Sequence, residues 1–320
     1  MFRLAHISDI HLGPLPSVTK RELASKRITG YINWKRNRSK YQDQNIANHL
    51  VEYMKSLEPD HNVITGDLIN LGLDEEIQNA QNWLKTVGSP KNTTVICGNH
   101  DAYVRNSLAK ALDSWQPYVM GDNRQAVSSH KDFPTLRRRG KISIISCNSA
   151  RASAPFLAVG FFRFKQAKKL QELLKQEKQR GQCRIVLIHH APFANATHKH
   201  KRLIGLNNFT NVIEQEGAEL ILHGHTHLDT LTYIKDKSET KRPNLQDNQD
   251  KQVPVVCVPA AFQWTGNKKP ASGVNIYNIE QSNKTWKIEV ERHGLVASEQ
   301  DAQNTNTATP TFEKLNTTEL

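Results

Sequence analysis

The chain has no stretch approaching the ~18–20 consecutive apolar residues that a membrane-spanning helix needs. Its opening, MFRLAHISDIH, has no basic region followed by a long apolar run, so it reads as a first strand and not as a secretory leader. Cysteine is scarce. Cys97, Cys147, Cys183 and Cys257 stand far apart and form no CxxC pair. That argues against a disulfide scaffold or a zinc knuckle, and fits buried thiols in a reducing, cytoplasmic setting. No internal repeat of solenoid period occurs. Negative charge is in deficit: 31 acidic residues face 43 Lys plus Arg, for a net +12. The excess favours anionic partners such as phosphorylated metabolites, nucleic acid or an acidic lipid surface, and says nothing about fold. At 320 residues the chain is long enough to bury a sizeable core.

Short runs rich in β-branched residues recur at FRLAHIS, HNVIT, TTVIC, KISIIS, RIVLI and ELIL. Apolar spacing of helical period appears in QNIANHLVEYMKSL, EEIQNAQNWLKTV and FKQAKKLQELLKQEKQRG. The last closes on basic residues and Gly181, a normal helix stop. Strands alternating with helices predict an α/β sheet covered by helices. After Leu228 the pattern changes. LTYIK, VPVVCV, GVNIYNI and KTWKIEVE read as strands without helices between them, expected to form a second sheet of hairpins or meanders. One domain is expected over residues 1–296, with a basic insertion at 14–41 and a polar loop at 235–252. Residues 297–320, rich in Thr, Asn, Gln and Glu, read as a disordered tail.

Polar, metal-competent residues follow each early strand. LAHIS is followed by Asp9 and His11, HNVIT by Gly66 and Asp67, and TTVIC by Gly98, Asn99, His100 and Asp101. RIVLI is followed by His189 and His190, and ELIL by His223, Gly224, His225 and His227. In open α/β sheets, ligands bind beyond the carboxyl ends of the strands, so these motifs are delivered to one edge. A single DxH or GD arises by chance; five such motifs in order, each at a strand end, are a strong signal. Carboxylate, imidazole and carboxamide together suit divalent first-row metals. A carboxylate has two oxygens and can bridge two ions about 3.5–4 Å apart, the clamp used for phosphoester displacement. Side chains two apart in an extended run point the same way, so His225 and His227 can face one cluster. His49, His61, His130 and His293 lack such a setting and read as structural or solvated.

The set DxH, GD, GNHD, the His of HHAPF and GHTH resembles the signature of the calcineurin-like metallophosphoesterases, phosphodiesterase-type branch, over residues 2–292. The resemblance implies an α/β fold: a four-layer αββα sandwich of two mixed sheets flanked by helices. It implies two divalent ions, Mn2+, Fe2+ or Zn2+. Asp9, His11 and His227 would hold one, Asn99, His189 and His225 the other, and Asp67 would bridge them. A hydroxide between the ions would attack phosphorus. His100 would face the substrate and protonate the leaving alkoxide or stabilise its charge, with Asp101 orienting that imidazole. His189 is favoured over His190 because the family pattern places the ligand first in the pair. His223 is expected to act by hydrogen bonding behind the ligands.

GDLINLG lacks the Asp-Arg pair of GDxVDRG, which marks the Ser/Thr protein phosphatases of this superfamily. A phosphodiester or pyrophosphate bond is therefore the expected target. Residues 20–40, KRELASKRITGYINWKRNRSK, hold eight Lys or Arg against one Glu, with Tyr31 and Trp34 interleaved. The insertion begins just after His11, so it is expected to overhang the site, with Trp34, Arg36 and Arg38 as substrate contacts. HKHKR at 198–202 is expected to face the site; RRRGK at 137–141 is a further basic run of unassigned position. Expected partners are a nucleotide, nucleic acid or a nucleotide-linked lipid precursor, with peripheral contact to an anionic membrane as a further expectation. Oligomeric state is left open. The competing reading is a non-catalytic, metal-bound scaffold that recruits nucleic acid or membrane through its basic surface.

Overall fold

Side-chain alternation along the strands sorts the core into three apolar layers, and these layers stack two sheets between helices. The computed structural model describes residues 1–38, 44–238, 251–264, 269–283, 285–296 and 310–320. Its strands are β1 (Phe2–Ile7), β2 (His61–Ile64), β3 (Thr93–Val95), β4 (Thr135–Arg139), β5 (Ile142–Ser146), β6 (Gly160–Phe161) and β7 (Cys183–Leu187). They continue with β8 (Leu203–Ile204), β9 (Leu220–His223), β10 (Thr230–Lys235), β11 (Gln252–Cys257), β12 (Gly273–Ser282), β13 (Thr285–Val296) and β14 (Thr311–Glu319). The α-helices are α1 (Lys20–Leu23), α2 (Arg27–Asn33), α3 (Gln44–Ser56), α4 (Asp74–Val87), α5 (Ser107–Ser114), α6 (Gln116–Val119), α7 (Phe164–Gln179) and α8 (Leu206–Glu216).

One mixed sheet has the order β14-β13-β12-β1-β2-β3, and the other β10-β11-β9-β7-β5-β4. Leu4 and Val63 point between the sheets with Ile185, Leu187, Leu220, Leu222 and Tyr277. One residue along, Ala5, Ile7 and Ile64 point outward to Leu50 and Met54 of α3 and to Ile77 and Leu84 of α4. On the far side, Val186 and Ile221 meet Leu170 and Leu174 of α7 and Phe209 and Ile213 of α8. The period of two along each strand thus fills a helix layer and the inter-sheet layer at once. No helix among the described residues is long and apolar enough to cross a membrane.

Two expectations change, and one unassigned run finds its place. The strands after Leu228 do not make a sheet of their own. β10 and β11 extend the second sheet beyond β9, while β12 to β14 extend the first beyond β1. Free edges of a parallel core are covered by whichever strands pair with them, and sequence periodicity does not encode that choice. Second, the polar C-terminal segment is not wholly disordered: β14 pairs antiparallel with β13. A backbone ladder needs no apolar side chains, and Phe312 supplies one buried anchor, stacked on Tyr53 at 5.6 Å. Residues 297–309 of that tail lie outside the described residues, as do 239–250 of the polar loop between β10 and β11. The basic run RRRGK begins inside edge strand β4, antiparallel to β5. There Arg137 is buried and donates to the carbonyls of Met120, Pro90, Thr93 and Pro117. Its role is structural.

Two buried histidines are expected to make the fold acid-sensitive. His6 and His61 hydrogen-bond Thr65 and Thr94 through Nε2, at 2.9 and 2.8 Å. Burial is the main cause that lowers each from its ordinary 6.5 to about 3. The unfolded chain therefore binds more protons than the native one between pH ~6.5 and ~3, and stability falls as pH drops through that window. The urea midpoint is expected to decline from pH 7 to pH 4, and less steeply in His61→Gln than in the parent. Equal slopes would show that His61 does not stay neutral in the fold.

Candidate metal centre

The donor residues come together because the chain runs on side by side past the strand ends. Beyond β1 and β2, Asp9 N donates to Gly66 O at 3.0 Å and His11 N to Asp67 O at 2.9 Å. Beyond β7 and β9, Gly224 N donates to His189 O at 3.1 Å. These links join four motifs in two pairs; His225 N donates to Asp9 Oδ2 at 2.9 Å across the pairs, and His100 N to Asp67 Oδ1 at 2.7 Å brings in the fifth. Two glycines permit the approach. A Cβ at Gly98 would lie 2.6 Å from Asp67 N, and one at Gly224 would lie 2.6 Å from Asp9 Oδ2.

The backbone at the site is strained. Asp9, His11, Asp67, His225 and His227 hold φ of 52°, 45°, 55°, 69° and 56°. Each left-handed non-glycine residue costs roughly 1–2 kcal/mol. Such conformations persist only where surrounding contacts impose them, and they gather at functional sites.

Two groups of ligand atoms lie within 4.8 Å of one another on either side of Asp67: Asp9, His11 and His227, and His189, His190 and His225. His227 Nε2 stands 3.1 Å from Asp9 Oδ1. His189 Nε2 stands 3.3 Å from Asn99 Oδ1 and 3.4 Å from Asp67 Oδ2. His11 Nε2 lies 3.8 Å from the same Asp67 oxygen. One carboxylate thus reaches both groups. All seven predicted ligands are in the cluster, and all are buried.

The imidazoles are oriented for coordination. His11 Nδ1 donates to Ile69 O at 3.2 Å, His189 Nδ1 to Thr65 O at 2.7 Å and His225 Nε2 to Lys201 O at 3.0 Å. A carbonyl can only accept, so in each neutral ring the other nitrogen keeps its lone pair, as a metal ligand requires. The Lys201 contact also places the HKHKR run against the site. Asp9 Oδ1 is fully buried, with His227 Nε2 at 3.1 Å. The donor set of oxygens and neutral nitrogens, without thiolate, fits divalent first-row metals.

The electrostatics agree. Burial opposes charge on Asp9, but the His227 and His189 charges reverse that and hold the carboxyl far below its usual range. Burial likewise opposes charge on Asp67, and His189, His100 and His11 hold it well below. Burial would lower His189, yet Asp67 and Asp9 raise it to about 9. The cluster stabilises positive charge, and a dication competes there with the His189 proton.

His190 and His223 are set differently. His190 Nδ1 bonds the Ser149 hydroxyl at 2.7 Å, and burial, then the His189 charge, lowers the ring to about 3. It remains a neutral neighbour of His225, ring centroids 4.4 Å apart. His223 Nδ1 donates to Gly224 O at 2.9 Å, and its ring meets Phe193 edge-on. It braces the turn that carries His225 and His227.

His100 sits at the half-buried lip. Its Nδ1 donates to Asn70 O at 2.6 Å and its amide to Asp67 Oδ1 at 2.7 Å. Asp101 does a different job from the one expected. Its carboxylate accepts the amides of Asp67, Leu68, Ile69 and Gly98. Burial and the Asp67 charge push it up to about 8, while those amides favour its anion. It ties the loop after β2 to the loop after β3, and the Asn70 carbonyl orients the imidazole.

The basic insertion meets the site through residues that its composition did not single out. Tyr103 stacks on His100 at 5.5 Å, and Lys26 Nζ lies 4.6 Å above the Tyr103 ring. Lys26 also donates to Ser153 Oγ and Leu157 O, at 2.9 and 3.0 Å. Arg27 donates to the carbonyls of Leu71 and Gly72. Trp34 is half-buried and Arg36 exposed on the π-helical turn Trp34–Arg38. The Arg38 side chain and residues 39–41 lie outside the described residues. Lys26 and Tyr103 are 77 positions apart, and no local signal pairs them.

The sequence model of the family described as "Calcineurin-like phosphoesterase" matches residues 2–229, the span that holds every ligand of this cluster. The chain belongs to the calcineurin-like phosphoesterase family. Its fold is that of a dimetal phosphatase from Danio rerio, with a TM-score of 0.56 at 11% identity, covering 92% of this chain and 96% of the other. A purple acid phosphatase from yellow lupin seeds aligns with a TM-score of 0.56 at 10% identity, covering 92% of this phosphoesterase and 51% of the lupin chain. The NAD nucleotidase of Haemophilus influenzae aligns at 0.50 with 12% identity, over 98% of this chain and 53% of the nucleotidase. The phosphoesterase therefore spans about half the length of those last two. Comparison with curated proteins by sequence gave no match.

Proposed function

We propose that this metal-dependent phosphoesterase hydrolyses a phosphodiester or pyrophosphate bond in a nucleotide, nucleic acid or nucleotide-linked lipid precursor. The carrying observation is Asp67, whose Oδ2 stands between His11 and His189 and so serves both halves of the donor cluster. Asp9, His11 and His227 would hold one ion, Asn99, His189 and His225 the other, and Asp67 both. Bound there, two dications supply a water deprotonated near neutral pH and neutralise charge building on the phosphoryl oxygens.

The chain's own residues do the rest. His100, fixed by Asn70 O and backed by Tyr103, presents its other nitrogen to hold a proton for the departing oxygen. The Lys26–Tyr103 contact keeps that ring from turning. The insertion brings cationic side chains to the same lip, which suits a polyanionic substrate. Absence of the Asp-Arg pair after Asp67 supports a diester over a phosphoprotein. The four buried thiols support a cytoplasmic setting.

The test is hydrolysis by the purified chain with Mn2+, Fe2+ or Zn2+ added, across cyclic nucleotides, single-stranded DNA, UDP-linked lipids and phosphomonoesters. Turnover of diesters or pyrophosphates is expected to exceed that of monoesters. Preference for monoesters would overturn the bond assignment, and no turnover with any metal would favour the scaffold. Sedimentation with anionic vesicles, run alongside, tests the peripheral membrane contact. Exposed Ile28 and Ile32 of α2, in a helix flanked in sequence by Lys26, Lys35 and Arg36, speak for that contact, and failure to sediment at low salt removes it.

A further inference from the structure

A cavity of about 680 Å³ has Asn148 and Ala150 in its wall, on either side of Ser149, and the hydrolytic chemistry leaves it without a role. Its walls combine the rings of Phe161 and Phe164 with the cations Arg151, Arg163 and Lys169, and among the described residues no carboxylate lines it. The Arg151 guanidinium rests 5.0 Å over the Phe161 ring. Positive charge converges here: burial, then Arg163 and Arg151, lower His130 on the same wall.

Helix α7 begins in this cavity at Phe164. No side chain caps its first amides, and its first turn holds no acidic residue. Helix starts usually recruit Ser, Thr, Asp or Asn for those amides, and a bare start attracts an anion. A second observation is independent of the helix. Asn148 lines the cavity at 3% exposure. Its Nδ2 donates to Ala150 O at 3.1 Å, while its Oδ1 is buried and accepts nothing. An unmet buried acceptor calls for an N–H or O–H donor. A simple inorganic anion supplies no ring for the aromatic wall.

We propose that this cavity binds a nucleoside phosphate. The base lies against Phe161 and Phe164, the phosphate meets Arg151, Arg163 and the start of α7, and a sugar or base donor meets Asn148. Rings accept bases by stacking, and guanidinium groups pair phosphate in two-pronged fashion. The position fits the non-reacting half of a substrate. Asn148 and Ala150 flank Ser149, whose hydroxyl bonds His190, and that ring packs on His225. The role in substrate choice rests on the phosphoesterase reading; binding needs no turnover.

The test is calorimetric titration of the full chain with AMP, inorganic phosphate and adenosine, once with Mn2+ and once in EDTA. AMP is expected to bind in EDTA at least tenfold more tightly than phosphate or adenosine. Asn148→Ala is expected to weaken AMP at least tenfold. Because Asn148 is buried, the exposed Arg151→Glu and Arg163→Glu variants carry the same expectation without risk to the core. AMP no tighter than phosphate overturns the ring contact. Binding only with Mn2+ places the phosphate on the metals and overturns the cavity. Unchanged affinity in both charge reversals does so as well. AMP binding that persists in a chain hydrolysing nothing would sink the phosphoesterase reading and leave this one standing.

Discussion

Asp67→Ala is expected to cut Mn2+-dependent hydrolysis of bis-p-nitrophenyl phosphate by more than the ~10–100-fold that loss of a residue supporting a metal ligand costs. Metal content by mass spectrometry should fall with it. The reason is geometric. Asp67 Oδ2 stands 3.4 Å from His189 Nε2 and 3.8 Å from His11 Nε2. Without it the two donor groups lose the carboxylate oxygen that faces both, and two positive ions at close range would lose the anion between them. Asp67→Asn separates charge from shape: it keeps an acceptor for the His100 amide and removes the carboxylate, so an intermediate loss is expected. A folded Asp67→Ala chain with the parental rate and metal content would end the two-ion proposal.

His100→Ala tests a different part. Here kcat should fall by ~10²–10⁴, the usual contribution of a positioned proton donor, while metal content stays at the parental value. The size of the loss should depend on the leaving group. Nitrophenolate departs with little help, whereas the alkoxide of a cyclic nucleotide needs a proton. The loss should therefore be greater for the cyclic nucleotide. Equal losses on both substrates would show that His100 does not deliver a proton. Its amide also donates to Asp67 Oδ1, but through the backbone, so alanine keeps that bond.

The supporting residues show where one-dimensional reading stops. Asp101 follows His100 directly, which makes it an obvious partner for the imidazole. The fold instead aims its carboxylate at four backbone amides, and the Asn70 carbonyl takes the ring. Backbone carbonyls carry no side-chain signature, so neither Asn70 nor Lys201 stands out as a partner. Lys26 stands over Tyr103 only because the insertion folds back across the loop after β3. His189 Nε2 faces Asp67 and Asn99, whereas His190 Nδ1 bonds Ser149, a difference the adjacent pair does not show in sequence.

The order of motifs, the residue types and their places at strand ends were legible in the sequence by itself. So were the three long helices and the α/β class, because periods of two and near 3.6 are local properties of the chain. The tertiary structure decided the rest. It chose which sheet each late strand joins, made an edge strand of a polar terminus, and buried Arg137 among carbonyls. It also held five of the candidate ligand residues in left-handed backbone. Each of these depends on contacts between residues distant in sequence, whose energies outweigh local preference only once the strands are paired.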